Sequence, residues 1–164
     1  MRPLCAPVLT AAVLLSLAAC APDPATAPDD AATASATAST SALTVSNARV
    51  VLAAVAGNPA AVYFDLSYSG AAGVTLTEVT VEGAGMTMIH DYAEKDGKAQ
   101  MTMAGPVALA AGAPVSFAPG GLHVMAMEPS EGLKAGGTAK VTLSLSDGTT
   151  ATIAAPVRAA GDAR

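Results

Sequence analysis

The sequence predicts a single all-β domain, because apolar residues alternate in short stretches, turn signals recur between them, and helical periodicity is missing. The alternating stretches are rich in β-branched or aromatic residues, as strands with one buried face are; they cover residues 61–68, 74–81, 140–145 and 149–154. The turn signals are Asn58-Pro59, Ser69-Gly70, Asp96-Gly97, Pro119-Gly120-Gly121 and Asp147-Gly148. Short strands at this spacing are typical of a β-sandwich or β-barrel.

The N-terminus predicts export and lipidation. A short basic start, Met1-Arg2-Pro3, precedes a mostly apolar run over residues 4–17. This run is shorter than the about 20 residues of a membrane-spanning helix, but it is typical of a signal peptide. It ends in Leu17-Ala18-Ala19-Cys20, which resembles the bacterial lipobox. The resemblance implies a signal peptide over residues 1–19, lipidation of Cys20, and a location on the periplasmic side of a bacterial membrane.

A tether separates the lipidated cysteine from the domain. Residues 21–42 contain only Ala, Pro, Asp, Thr and Ser and have no apolar periodicity, so we expect residues 20–43 to be disordered. All glycines lie at or beyond Gly57, and this change in composition places the start of the domain near Thr44. We therefore expect a β domain over residues 44–158 and a short tail over residues 159–164.

Charge and cysteine content exclude several classes of protein. The formal net charge is −5 and no basic cluster is present, so nucleic-acid binding has no electrostatic support. Both cysteines, Cys5 and Cys20, precede the predicted domain. The domain therefore has no thiol, and we expect its core rather than disulfides to hold it together.

Thioether and imidazole side chains are concentrated in one part of the predicted domain. Apart from Met1, every methionine and both histidines lie between residues 86 and 127. They form three groups with a spacing of two, which places each group on one face of its strand. The groups are Met86, Met88 and His90; Met101 and Met103; and His123, Met125 and Met127. These three stripes predict one common patch.

This set of donors predicts binding of reduced copper. Cu(I) accepts thioether and imidazole ligands, whereas zinc and iron sites usually recruit thiolate, carboxylate or imidazole alone. A blue-copper electron carrier needs a cysteine ligand, which the domain lacks. No nucleophile motif accompanies the histidines, so we expect no enzyme activity. The alternative is a structural immunoglobulin-like envelope module in which methionine and histidine serve as core packing.

Asp96-Gly97 predicts a hairpin between the first two stripes, in one of two registers. A strict two-residue loop pairs Lys95 with Lys98 and puts His90 opposite Met103, with Met101 on the diagonal. A four-residue loop puts Met101 opposite His90 instead. Like charges directly opposite each other are unfavourable, which favours the longer loop, but pairing alone leaves the choice between Met101 and Met103 open.

The spacing of the donors resembles the signature of the periplasmic PCu(A)C copper chaperones: His90, ten residues, Met101, twenty-one residues, His123, one residue, Met125. The segments at residues 58–64, 119–125 and 133–136 are also similar, and the likeness covers residues 44–157. The resemblance implies a cupredoxin-like Greek-key β-barrel or sandwich that holds one Cu(I) per domain. The implied ligands are His90, Met101, His123 and Met125, with Met88, Met103 and Met127 as accessory neighbours.

The same resemblance implies a function. Proteins of this family carry Cu(I) toward the CuA centre of cytochrome c oxidase, so the expected partners are a copper acceptor such as oxidase subunit II and a thiol-bearing assembly factor. The lipid anchor is the expected contact with the membrane, and no nucleic acid is expected. A periplasmic copper buffer or resistance protein is a further alternative. The C-terminus lacks the Met/His-rich tail of some family members, so the resemblance gives no support for a Cu(II) site.

Overall fold

All regular secondary structure in the described part of the chain is β-strand, which confirms the predicted fold class. The computed structural model describes residues 36–95 and 97–162, with Ala36 and Lys95 described by their backbone alone. In chain order the strands are β1 (Ala36–Ser39), β2 (Leu43–Val51), β3 (Ala60–Tyr68), β4 (Thr75–Val81), β5 (Ala84–Lys95), β6 (Lys98–Met103), β7 (Val107–Ala108), β8 (Val115–Phe117), β9 (His123–Pro129), β10 (Thr138–Leu145) and β11 (Thr150–Arg158). Within these residues no helix is long and apolar enough to cross a bilayer.

The strands form one continuous, open sheet that folds into two layers. Its order is β6-β5-β9-β3-β2-β11-β10-β4-β7, with β1 added to β2 and β8 added to β3. Strand β11 joins the layers, because it pairs antiparallel with β10 along most of its length and parallel with β2 through Val157 and Arg158. The layer that contains β6, β5 and β9 carries all six methionines of the described chain and both histidines.

The core lies between the layers and is built by strict alternation along each strand. On β3, every second side chain from Ala60 to Tyr68 is at most 2% exposed. On β11, Ala151, Ile153, Ala155 and Val157 are buried in the same way. The rings of Phe64 and Phe117 stack with centroids 4.2 Å apart. The period-two pattern in the sequence therefore reports which face of each strand packs inward.

Strand β1 extends the sheet into the segment predicted to be a tether. Ala36–Ser39 lie within the segment expected to be a disordered tether, yet they form β1 and pair antiparallel with β2. The strand is held by backbone hydrogen bonds and by small residues such as Ala38, which packs against the rim of the core. Because it contains no large apolar side chains, its composition does not predict a strand. Cys20, the signal peptide and the first part of the tether lie outside the described residues.

We expect Phe117→Ala to lower the free energy of unfolding by about 3–5 kcal/mol, because it removes a buried ring and leaves a cavity against Phe64. Met103→Ala, at a side chain that is 71% exposed, should change it by less than about 0.5 kcal/mol. Urea unfolding of the two variants and the wild type measures both values. Equal losses in the two variants would contradict the assigned core.

Candidate metal site

The first and third donor stripes lie side by side, because β5 pairs antiparallel with β9. In this register Met86 lies opposite Met127, Met88 opposite Met125, and His90 opposite His123. In each of these three pairs the two residues offer the same donor: the His90–His123 pair has two imidazoles, and the other two pairs have two thioethers each. Directly opposed residues have Cβ atoms about 4.5–5.5 Å apart, so each pair can contact a single ion.

The donors occupy the outer face of the sheet. On the inner face of the same two strands lie Ile89, Val124 and Ala126, which are 8%, 0% and 0% exposed. None of the six methionines belongs to the buried core of the described chain: Met86, Met101 and Met103 are exposed, and the other three are half-buried. The alternative in which methionine serves as core packing is therefore wrong.

The β5–β6 hairpin adopts the strict two-residue register. Lys95 pairs with Lys98, His90 with Met103, and Tyr92 with Met101. The longer loop that the opposed lysines favoured is thus wrong, because the repulsion between solvated charges is small and Gly97 adopts the left-handed conformation, φ 74°, that a two-residue hairpin needs. Met101 lies on the diagonal from His90, where a long side chain still reaches.

His123 is held in one orientation. Its ring is 4% exposed, although it lies on the outer face, and its Nδ1 lies 2.8 Å from the carbonyl oxygen of Gly121. A carbonyl can only accept, so Nδ1 carries the proton and Nε2 keeps a free lone pair. An imidazole oriented by a backbone carbonyl through one nitrogen is the usual arrangement of a metal ligand that binds through the other.

His90 has an unsatisfied nitrogen. Its ring stacks on that of His123 with centroids 5.9 Å apart and an angle of 24° between the planes. The Nδ1 atom of His90 is buried and has no hydrogen-bond partner among the described residues. A buried polar atom without a partner costs about 1–3 kcal/mol, and a metal ion coordinated by this nitrogen would remove that cost. The residues present therefore fit a metal.

Tyr92 covers the histidine pair, which sequence reasoning did not predict. Its ring stacks on that of His123 with centroids 5.5 Å apart, and it is 40% exposed. The signal was present, because Tyr92 continues the stripe of Met88 and His90 at the same spacing of two. Its ring covers part of the His123 ring, and its cross-strand neighbour on the hairpin is Met101.

A polar network supports the site from β3 and β2. The Arg49 guanidinium lies 5.0 Å from the ring centroid of Tyr63. Burial raises the pKa of Tyr63. The nearby Arg49 lowers this pKa by a smaller amount, and Tyr92 raises it slightly. Arg49 donates to the backbone oxygen of Asn47 at 3.3 Å. Tyr63 thus contacts a guanidinium that also donates to the backbone of β2.

Asp65 anchors the far end of this network. Its two oxygens accept hydrogen bonds from Asn47 Nδ2 and Ser116 Oγ, each at 2.7 Å. These bonds, first that of Asn47 and then that of Ser116, hold the pKa of Asp65 below its usual range. The carboxylate stabilises the bulge in β2 at Asn47, where φ is 54°, and this bulge positions Arg49.

Hard and thiolate donors do not converge at this site. Among the described residues, no group of three His, Cys, Asp or Glu side chains is arranged to hold a metal ion. The histidine pair is instead surrounded by thioethers from three strands. Met88 and Met103 line a common cleft of about 200 Å³ beside β5, which also includes Glu78. The chemistry available here is that of a soft, low-charge cation.

Comparison with protein families identifies the domain. A family model described as "Putative lipoprotein LpqE-like" matches residues 43–157, from the start of β2 almost to the end of β11. The chain belongs to the LpqE-like family. A curated relative, "Putative lipoprotein Lxx21020" of Leifsonia xyli subsp. xyli (strain CTCB07), is 34% identical over 109 residues. That match covers 66% of this chain and 65% of the relative, just under two thirds of its length.

Solved structures share the fold of this LpqE-like domain. The copper-bound PCuAC domain from PmoF2 is similar with a TM-score of 0.62 and 20% identity, over 75% of this chain and 97% of that one. The solution structure of the Cu(I) form of DR1885 from Deinococcus radiodurans is similar with a TM-score of 0.57 and 26% identity, over 71% and 78%. The likeness confirms the cupredoxin-like fold that the sequence implied.

We expect His123 of the LpqE-like domain to be the Nδ1-protonated tautomer before any metal is added, because its Nδ1 faces a carbonyl oxygen. Long-range ¹H–¹⁵N correlation spectra of the protein at neutral pH measure the tautomer of each ring. A His123 ring protonated at Nε2 would contradict the assigned hydrogen bond, and His90, whose Nδ1 has no such partner, is the internal control.

Proposed function

We propose that this LpqE-like protein is a lipid-anchored metallochaperone of the bacterial envelope that binds one Cu(I) tightly and delivers it to a copper enzyme. The proposed ligands are His90, Met101, His123 and Met125. The observation that carries the proposal is the stacked histidine pair with one unsatisfied buried nitrogen, next to thioethers on the same face of the sheet. Copper as the cargo is further supported by the copper-bound PCuAC domains that share the fold.

The ligand set suits a cargo rather than a permanent cofactor. Neutral imidazoles and thioethers leave the bound ion with its own single charge, and thioethers select Cu(I) over harder cations. The ligands also lie on an outer sheet face, where Met101 is 47% exposed. An acceptor can therefore approach the ion directly. Because thiolates bind Cu(I) more strongly than neutral thioethers do, transfer is favourable toward a partner that offers cysteines.

The fourth ligand comes from β6, and we assign it to Met101. The family spacing favours Met101, and it is less exposed than Met103, which is 71% exposed. Met101 also pairs with Tyr92, whose ring covers His123. Met103 lies directly opposite His90 and is the competing candidate. The two methionines belong to one short strand and have the same donor atom, so each is the matched control for the other.

The proposed location rests on the N-terminus and on the family. Leu17-Ala18-Ala19-Cys20 resembles a lipobox, and both the family and the curated relative are described as lipoproteins. Lipid on Cys20 would hold the domain at the periplasmic surface of a membrane. Membrane-bound cuproenzymes with exposed copper centres are accessible from there. The CuA centre of cytochrome c oxidase is the acceptor that we propose, with a thiol-bearing assembly factor as intermediary.

We expect Met101→Leu and Met125→Leu each to weaken Cu(I) binding by at least about tenfold, since each removes one ligand and tenfold corresponds to about 1.4 kcal/mol. Met103→Leu should weaken it by less than about threefold. Anaerobic competition titrations with a chromophoric Cu(I) chelator measure the affinities, and leucine roughly conserves volume, so stability should be almost unchanged. A larger loss in Met103→Leu than in Met101→Leu would exchange the roles of the two methionines.

We expect a strain without this protein to lose cytochrome c oxidase activity under copper limitation and to recover it when copper is added. The physical reason is that the chaperone raises the rate of copper delivery only when free copper is scarce. The control is the same strain complemented with His123→Ala, which produces the protein without a proposed ligand and should stay deficient in oxidase activity. Full oxidase activity in the limited strain, together with sensitivity to excess copper, would indicate a buffering or resistance function instead.

A further inference from the structure

The end of the donor ladder farthest from the histidines has no part in the proposed Cu(I) site. Met86 on β5 lies directly opposite Met127 on β9, two positions beyond the pair of Met88 and Met125. Met86 is 57% exposed and Met127 is half-buried. Both side chains point to the same outer face as the histidines.

Packing does not account for this pair. An exposed position on a strand is ordinarily occupied by a β-branched or polar residue, and the buried core of the described chain is built without methionine. Among the residues that the structure describes, the exposed large apolar side chains apart from Val55 are Met86, Tyr92, Met101 and Met103, and all four lie on β5 and β6. The thioether of Met86 is thus presented to solvent beside a second thioether.

We propose that Met86 and Met127 form a second binding site for a soft monovalent cation, Cu(I) or Ag(I), weaker than the histidine site. Directly opposed strand residues have Cβ atoms about 4.5–5.5 Å apart, and the flexible methionine side chain lets both sulfur atoms turn toward one ion. Thioethers select soft metals. The proposal rests on the proposed function only for the identity of the cation as copper.

The two sites are far enough apart to be occupied together. Successive pairs in the ladder are two residues apart, or about 7 Å along the strands. Met86 is therefore about 13 Å along the strand from His90. The nearest ligand of the first site, Met125, is about 7 Å along β9 from Met127. Two single charges about 7–13 Å apart repel only weakly in water, because its dielectric constant is high and salt screens charges over about 8 Å.

The strand segments that carry Met86 and Met127 are also in close contact on the face opposite the two thioethers. A Cβ atom placed on Gly85 would lie only 2.6 Å from Oε2 of Glu128, so the Glu128 side chain packs against the backbone of β5 next to Met86. Glu128 itself directly follows Met127 and has a φ of 50°, in the left-handed region that is costly for a non-glycine residue. Glycine at position 85 is what makes room for this arrangement.

The test uses Ag(I), which binds to soft donors as Cu(I) does but does not change oxidation state. Purified full-length protein with ¹³C-labelled methionine methyl groups and ¹⁵N-labelled histidine rings is titrated with Ag(I) and followed by NMR and by native mass spectrometry. In the wild type we expect the first equivalent to shift the His90, His123 and Met125 signals. The second equivalent should shift the Met86 and Met127 methyl signals.

A double variant separates the two sites. Met86→Leu with Met127→Leu should lose the second equivalent while the affinity for the first changes by less than about twofold. Met103→Leu, which removes an exposed thioether outside this pair, should retain the second equivalent and is the matched control. Retention of the second equivalent in the double variant, or a wild type that binds only one, would overturn the second site. Shifts at Met86 and Met127 without any change at the histidines would support the second site and contradict the proposed function.

Discussion

The whole outer face of this domain depends on the register of β5 on β9. Side chains alternate along a strand, so a slip of β5 by one residue would turn Met88 and His90 inward and Ile89 outward, and a slip of β9 would do the same to Met125 and its apolar neighbours. Ile89, Val124 and Ala126 prevent such a slip, because they are buried in the core and burying one large aliphatic side chain contributes about 1.5–3 kcal/mol. The hydrophobic core therefore sets the positions of the donors, and the donors need contribute nothing to folding.

The two histidines of the LpqE-like domain differ in how fully the protein satisfies the hydrogen-bonding groups of their rings. His123 is fixed by the Gly121 carbonyl and covered by Tyr92, whereas Nδ1 of His90 is buried without a partner. The His123 ring is thus held in a fixed orientation, and the His90 ring has a nitrogen that a metal ion would satisfy. Such a pair gains from binding an ion, yet it carries no charged ligand that would prevent release. This balance suits the proposed function, in which the metal is passed on.

Much of this arrangement could be predicted from the sequence, because period-two patterns report strand faces directly. The alternation identified most strands, and the spacing of methionine and histidine placed the donors on common faces. Two hairpin registers stayed open, and the lysine argument favoured the one that does not occur, since the repulsion between Lys95 and Lys98 was outweighed by the conformation of Gly97. Strand β1 was missed because small residues paired through their backbone leave no apolar signal. The covering role of Tyr92 depends on where its ring turns, which spacing alone does not determine.

X-ray absorption at the copper edge of the protein loaded with one equivalent of Cu(I) tests the central claim most directly. The account predicts a first shell that contains both nitrogen and sulfur donors, from His90, His123, Met101 and Met125. It also predicts an edge typical of Cu(I) and no thiolate-type sulfur. A shell of sulfur alone, or of nitrogen and oxygen without sulfur, would contradict a site built from the histidine pair and its neighbouring thioethers.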